Sequence, residues 1–185
     1  HPHADHVTGL VEVLRRYEVK RVYASGVIHT AADYISWLRE SQEQNIAFEK
    51  VDHPMTIDLG AGAMLEFLAP LRSYAGEEVA ELNNTSVVNR LVYGDVAVLL
   101  TGDAEAEQEE ALLRSGQNLR ADVLKVGHHG SNSSTTRDFL VAVSPRWAVI
   151  SNGFDNSFGH PHAEILRRLQ QADVGIVRNR SNIFT

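Results

Sequence analysis

The stretch His1-Pro2-His3-Ala4-Asp5-His6 puts four side chains able to ligate a cation into six positions. On an extended segment His1, His3 and Asp5 share one side by the two-residue period, while His6 turns the other way as the chain enters a helix. That spacing lets His1 and His3 bind one cation while Asp5 and His6 reach a second. Imidazole nitrogens suit zinc or manganese, and the carboxylate moves the preference toward harder ions. A purification tag would be a plain histidine run. Here Val7, Leu10, Val11, Leu14 and Tyr17 follow at once with helical spacing.

Outward from that helix, Arg21 to Ala24 reads as a strand and Thr30 to Glu43 as a second helix, with Ala31, Tyr34, Ile35 and Leu38 on one face. Ala47 to Val51 fits another strand. Ile57 to Leu59 and Met64 to Leu68 flank Gly60-Ala61-Gly62 as a predicted hairpin, and Ala69 to Asn84 is polar and irregular, a surface loop. Ser86 to Tyr93 and Val96 to Leu100 alternate around Gly94-Asp95, a strong hairpin signal. Thereafter helices at Ala104 to Arg114, Thr135 to Val143 and Ala163 to Ala172 alternate with strands at Asp122 to Val126, Trp147 to Ser151 and Val174 to Val177. Hairpins followed by β-α-β units predict sheets covered by helices in one α/β domain spanning residues 1–185.

Composition narrows the chemistry. The chain has 185 residues, 43% of them apolar, enough for one sizeable core. Its net charge of −7 is the opposite of a domain that clamps nucleic acid across a broad face. It leaves a phosphodiester substrate open, because bound dications reverse the local charge of a site. There are no cysteines, which excludes disulfides, thiolate catalysis and Cys-rich zinc sites. No apolar run reaches the roughly 18 residues of a membrane span, and the opening residues do not read as a signal peptide. No GxSxG, P-loop or GxGxxG is present, so serine hydrolase, NTPase and dinucleotide readings have no support.

Three later positions carry the same kind of chemistry. Asp103 ends the apolar run Val96 to Leu100 plus Thr101-Gly102, where a strand stops and a helix starts. Alone it would read as a helix cap; beside the opening motif it reads as a carboxylate placed to bridge two metals. Gly127-His128-His129-Gly130-Ser131 follows a buried strand, and one histidine reads as a ligand, the other as a proton donor or phosphate contact. Adjacent residues at a strand end face opposite ways, so the spacing leaves open which faces in. Gly159-His160-Pro161-His162 closes the loop after the next strand, with His160 the candidate for the last ligand and His162 a residue of the first helical turn. His29 and His53 read as ordinary loop histidines.

Together with Asn83-Asn84-Thr85-Ser86-Val87-Val88, Leu99 to Asp103 and Lys125 to Ser131, the opening motif resembles the metallo-β-lactamase superfamily, and more narrowly the C-terminal domains of ComEC-type competence DNA-uptake proteins. The resemblance spans nearly the whole chain. It implies an αββα sandwich, with His1, His3, Asp5, His6, Asp103 and His160 as ligands of two divalent ions, zinc or manganese, and Asp5, His128 and His129 as catalytic residues. Many members carry another histidine between the signature and the bridging aspartate; this chain offers Asn83 or Asn84 there, which leaves the first metal weaker or more open. The superfamily's opening strands do not precede the motif here, so the sequence reads as a fragment of a larger protein.

The function so implied is a metal-dependent phosphodiesterase acting on DNA, degrading the strand that is not imported. DNA would be substrate, the membrane channel portion would belong to the same polypeptide, and the domain would lie on the outer side of an inner membrane. A small-molecule hydrolase attacking a lactone, amide or thioester, and a non-catalytic DNA-guiding module, are the alternatives.

Overall fold

The computed structural model describes residues 1–153 and 155–179. The chain opens with α1 (Ala4–Arg16), β1 (Arg21–Ala24), α2 (Ala32–Glu43) and β2 (Ala47–Lys50). β1 and β2 pair in parallel, Arg21 opposite Ala47. Parallel neighbours need a crossover, and α2 supplies it. Val7 and Leu14 of α1 close on Tyr34 and Trp37 of α2, with Val22 and Ala24 of β1 packed against them.

The second sheet has seven strands in sequence order: β3 (Met55–Gly60), β4 (Ala63–Ala69), β5 (Val88–Tyr93), β6 (Val96–Leu100), β7 (Val123–Lys125), β8 (Trp147–Ile150) and β9 (Gly175–Arg178). Hairpins make β3 to β6 antiparallel. From β6 onward the pairing is parallel, with α3 (Ala106–Arg114), α4 (Arg137–Val143) and α5 (Ala163–Gln171) as crossovers. Leu99, Leu124 and Ile150 of successive strands pack with Leu112, Phe139, Ile165 and Leu169 of these helices, all fully buried. Each such side chain contributes roughly 1.5–3 kcal/mol through burial. The two sheets meet where the Tyr23 ring lies 4.8 Å from that of Phe67. Among the described residues, two sheets with five α-helices agree with the αββα sandwich that the resemblance implied.

Two local expectations need correction. The opening motif is not extended as far as Asp5: α1 begins at Ala4 with His3 as its N-cap, so Asp5 and His6 lie in the first helical turn. An acidic residue there complements the helix dipole. Asp103 does not cap α3, which starts at Ala106 with Glu105 as N-cap. Other boundaries shift by a residue or two.

The topology places the site. Asp103 follows β6, the turn Gly127–Gly130 follows β7, and His160 lies in the loop after β8. These are the C-terminal ends of three adjacent parallel strands, where open α/β sheets gather their binding residues.

Candidate metal centre

Asp103 anchors the site. Its side chain is 2% exposed, and its amide donates to Ser86 Oγ at 3.0 Å. Gly102 just before it has φ +57, and a Cβ there would lie 2.9 Å from Ser86 Oγ, so only glycine lets the chain turn this close. His6 Nε2 approaches Asp103 Oδ2 at 3.0 Å, and His129 Nε2 lies 3.1 Å from Asp5 Oδ2 and 3.5 Å from Asp103 Oδ1. Asp5, His6, Asp103 and His129 each offer one ligand atom, all within 4.8 Å of one another.

His129 reaches this position through an unusual turn. His128 and His129 both take left-handed backbone conformations, φ 44° and 54°, a cost found where structure elsewhere over-determines a functional segment. Gly130 closes the turn, and a Cβ on it would meet Pro161 Cβ at 2.5 Å. The His129 Nδ1–H donates to the Ser151 carbonyl at 2.7 Å, which leaves Nε2 as the nitrogen facing the carboxylates. A histidine ligand is oriented in this way by its outer partner.

Two buried atoms test whether a cation fits. His1 Nε2 and Asp103 Oδ1 have no hydrogen-bond partner. Such atoms are costly unless something occupies the space between them. His1 Nε2 is 3.5 Å from Asp103 Oδ2, and His1 Nδ1 is 3.0 Å from Ser86 Oγ. The serine oxygen can accept from both His1 Nδ1–H and the Asp103 amide, freeing Nε2 for a metal. The His3 ring stands edge-on to His1 at 4.8 Å. Imidazoles and carboxylates without thiolates suit borderline to hard divalent ions. The donor set therefore fits a divalent cation, which Asp5, His6, Asp103 and His129 would hold.

The carboxylates and imidazoles of the cluster shift one another's titration. Contacts with Asp103 and then Asp5 push His129 up to about 9, against its burial. Burial would raise the Asp103 carboxyl, but His129 and His6 outweigh it and hold it well below the usual range. Burial lowers His3, which favours the neutral imidazole that a metal needs.

His128 is not one of the four, though its ring lies 6.3 Å from that of His129. Its Nδ1 lies 2.9 Å from Glu105 Oε1, which also accepts from Ser133 Oγ at 2.8 Å and Asn83 Nδ2 at 3.2 Å. Asn83 is thus engaged with Glu105. The structure does not gather His160 with the four. Its ring packs on His128 at 5.5 Å, Phe158 at 5.8 Å and His162 at 4.9 Å, and His129 occupies the corner expected for it. His162 is the N-cap of α5 rather than a first-turn residue, and its Nδ1 accepts from the Asn132 amide at 2.9 Å. His53 pairs with Asp52 and is exposed, as expected. His29 differs: its ring lies 6.3 Å from His3, at the edge of the centre.

Sequence reasoning assigned no role to Ser86, Glu105 or Lys125. Lys125 sits at the end of β7 with Nζ 3.4 Å from the Gly102 carbonyl; burial pushes its ammonium down while Asp103 and Asp5 pull it up. A lysine closing a buried strand was the available signal for it. Serine and glutamate carry no such mark, because their partners come from distant segments. Beneath the cluster, His1, Tyr23, Val27, Tyr34 and Trp37 line a cavity of about 240 Å³.

The model of the Metallo-beta-lactamase superfamily matches residues 1–153. The chain is 32% identical to ComE operon protein 3 of Bacillus subtilis (strain 168) over 183 residues, 98% of this chain and 23% of that protein. It is 39% identical to Competence protein ComA of Neisseria gonorrhoeae over 118 residues, 63% of this chain and 16% of that one. Recombination protein 2 of Haemophilus influenzae (strain ATCC 51907 / DSM 11121 / KW20 / Rd) is 43% identical over 89 residues, 48% of this chain and 11% of that protein. Among solved structures, the CmlA beta-hydroxylase E377D mutant superposes with a TM-score of 0.58 at 14% identity, over 97% of this chain and 42% of that chain, a likeness of fold alone. The chain spans less than a quarter of the length of these curated relatives.

Proposed function

Because this chain belongs to the metallo-beta-lactamase superfamily, we propose that it is a metal-dependent phosphodiesterase acting on DNA, the hydrolytic part of a longer competence protein. The observation that carries the reading is the convergence of Asp5, His6, Asp103 and His129 within 4.8 Å around buried atoms without partners. DNA as substrate is supported by the relatives named competence and recombination proteins, and by a site whose charge a dication would reverse. Degradation of the strand that is not imported fits that setting, with a channel elsewhere in the same polypeptide and the domain on the outer side of the membrane. Among the described residues no helix is long and apolar enough to cross a membrane.

Zinc or manganese, when bound, would lower the pKa of a water and neutralise charge on the scissile phosphate. The protein's own groups do the rest. His1, His6 and His129 present Nε2 toward Asp103, and the Ser86 and Ser151 contacts fix two of these rings. His128, whose ring neighbours that of His129 and whose Nδ1 meets Glu105, would give a proton to the departing oxygen. His160 is kept here as a neighbour of His128 rather than as a ligand.

The cavity under His1 favours a second reading, a small apolar ester or amide as substrate. The two part in one experiment: cleavage of single- and double-stranded DNA and of a small lactone, with manganese, zinc or magnesium added in turn. DNA cleavage lost in Asp5→Ala supports the proposal. A metal-loaded protein that opens the lactone and leaves DNA intact refutes it, and one that cleaves neither is a binding module.

A further inference from the structure

A line of rings leaves the metal centre along the loops that follow β7 and β8. Ring centroids are 6.3 Å apart for His129 and His128, and 5.5 Å for His128 and His160. Phe158 then stacks on His160 at 5.8 Å, with planes 23° apart. Phe158 is 75% exposed. A lone exposed aromatic needs no explanation, but this one is held in position. Asn152 and Asn156 side-chain amides donate to the His160 carbonyl at 3.1 and 2.8 Å, and Asn156 Oδ1 accepts from the His160 amide at 2.9 Å. Burying such a ring would be favourable. The loop instead presents it to solvent, one end of a ring series whose other end lies among the ligating side chains.

Charge shows why that matters. At −7 the chain offers a polynucleotide little general attraction beyond its metal centre. Base stacking on an aromatic face supplies affinity that needs no basic surface and tolerates any sequence.

We propose that Phe158, backed by His160, is a stacking platform for a nucleobase of single-stranded DNA whose backbone runs to the metal centre. The inference rests on the phosphodiesterase reading above. It adds a preference for single strands, because a duplex keeps its bases within its own stack.

The test uses the whole chain with manganese, single-stranded oligothymidylate, and the same oligonucleotide with abasic residues replacing thymidines. Binding is followed by anisotropy on a phosphorothioate version, and cleavage gives KM and kcat. Phe158→Ala should weaken binding and raise KM about tenfold, the effect of removing one stacked base, with kcat nearly unchanged. Phe158→Trp should retain wild-type values. The wild type should lose a similar factor on the abasic strand, and Phe158→Ala should lose nothing further there. An alanine variant that matches a DNA-cleaving wild type, or that loses as much again on the abasic strand, overturns the stacking platform alone. A wild type that neither binds nor cleaves any single strand removes the phosphodiesterase reading, and the platform with it.

Discussion

The two halves of the molecule hold their share of the metal centre in different ways. In the first, β2 is exposed along its length and only Val7, Leu14, Tyr34 and Trp37 form a closed core between α1 and α2. In the second, β6, β7 and β8 are buried at Leu99, Leu124 and Ile150 beneath three helices. His1, His3, Asp5 and His6 come from the light half, Asp103 and His129 from the heavy one. Side chains at the ends of deeply buried strands are fixed by the fold, whereas those on α1 gain a fixed position from the centre itself. A cation shared between the halves would act as a rivet, and four measurements break or sharpen that contrast.

The largest effect is expected from Asp103→Ala, which removes the group that His1, His6 and His129 all face. Metal content should fall to background and cleavage with it, while hydrogen exchange in β6 to β8 stays slow and that in α1 and α2 speeds to the level of chelator-treated protein. Equal loss of protection in both halves would show that they fold as one unit without a rivet. Within the heavy half, His128→Ala should keep its metal and lose about 10²-fold to 10⁴-fold in rate, the range for general acid–base catalysis. Loss of metal instead would make His128 a ligand and not a proton donor.

Ser86 ties the halves together, touching His1 Nδ1 and the Asp103 amide. Ser86→Ala should cost roughly 10–100-fold in metal affinity by titration, as for other outer partners of metal ligands, with little change in melting temperature. The smallest effect concerns pH. His129 stands at about 9 against an ordinary 6.5, so the protonated ring stabilises the metal-free fold fully below about pH 6.5, and that contribution is lost as pH rises to about 9. Chelator-treated protein should therefore lose about 1–3 kcal/mol across that window, read from urea unfolding and reduced by partial solvent screening. With saturating cation the slope should reverse, because binding displaces the proton. A flat profile without metal would mean that Asp5 and His129 are not paired in solution.

Much of this was legible in the chain. Among the described residues, periodicity and turn residues located the five α-helices and nine strands within two or three residues, and most of these elements bury one face against a core. Asp103, His128 and His129 stood out because apolar strands end just before them. The start of α1 was misjudged because His3, as an N-cap without a side-chain capping bond, carries none of the usual capping signal. Spacing left open which of His128 and His129 faces inward; the left-handed turn brings His129 to the carboxylates, and two non-glycine residues give no warning of such a turn.

The sequence by itself determined the order of elements, the ligand chemistry and the family, since these depend on residue type and local spacing. Only the tertiary structure decided which ligands meet, which tautomer each presents and which atoms are left without partners. Asp5 and His129 lie on different halves of the chain, 124 residues apart, yet approach to 3.1 Å. The sheet order and the closure of the Gly127–Gly130 turn bring them together, and no local pattern encodes either distance.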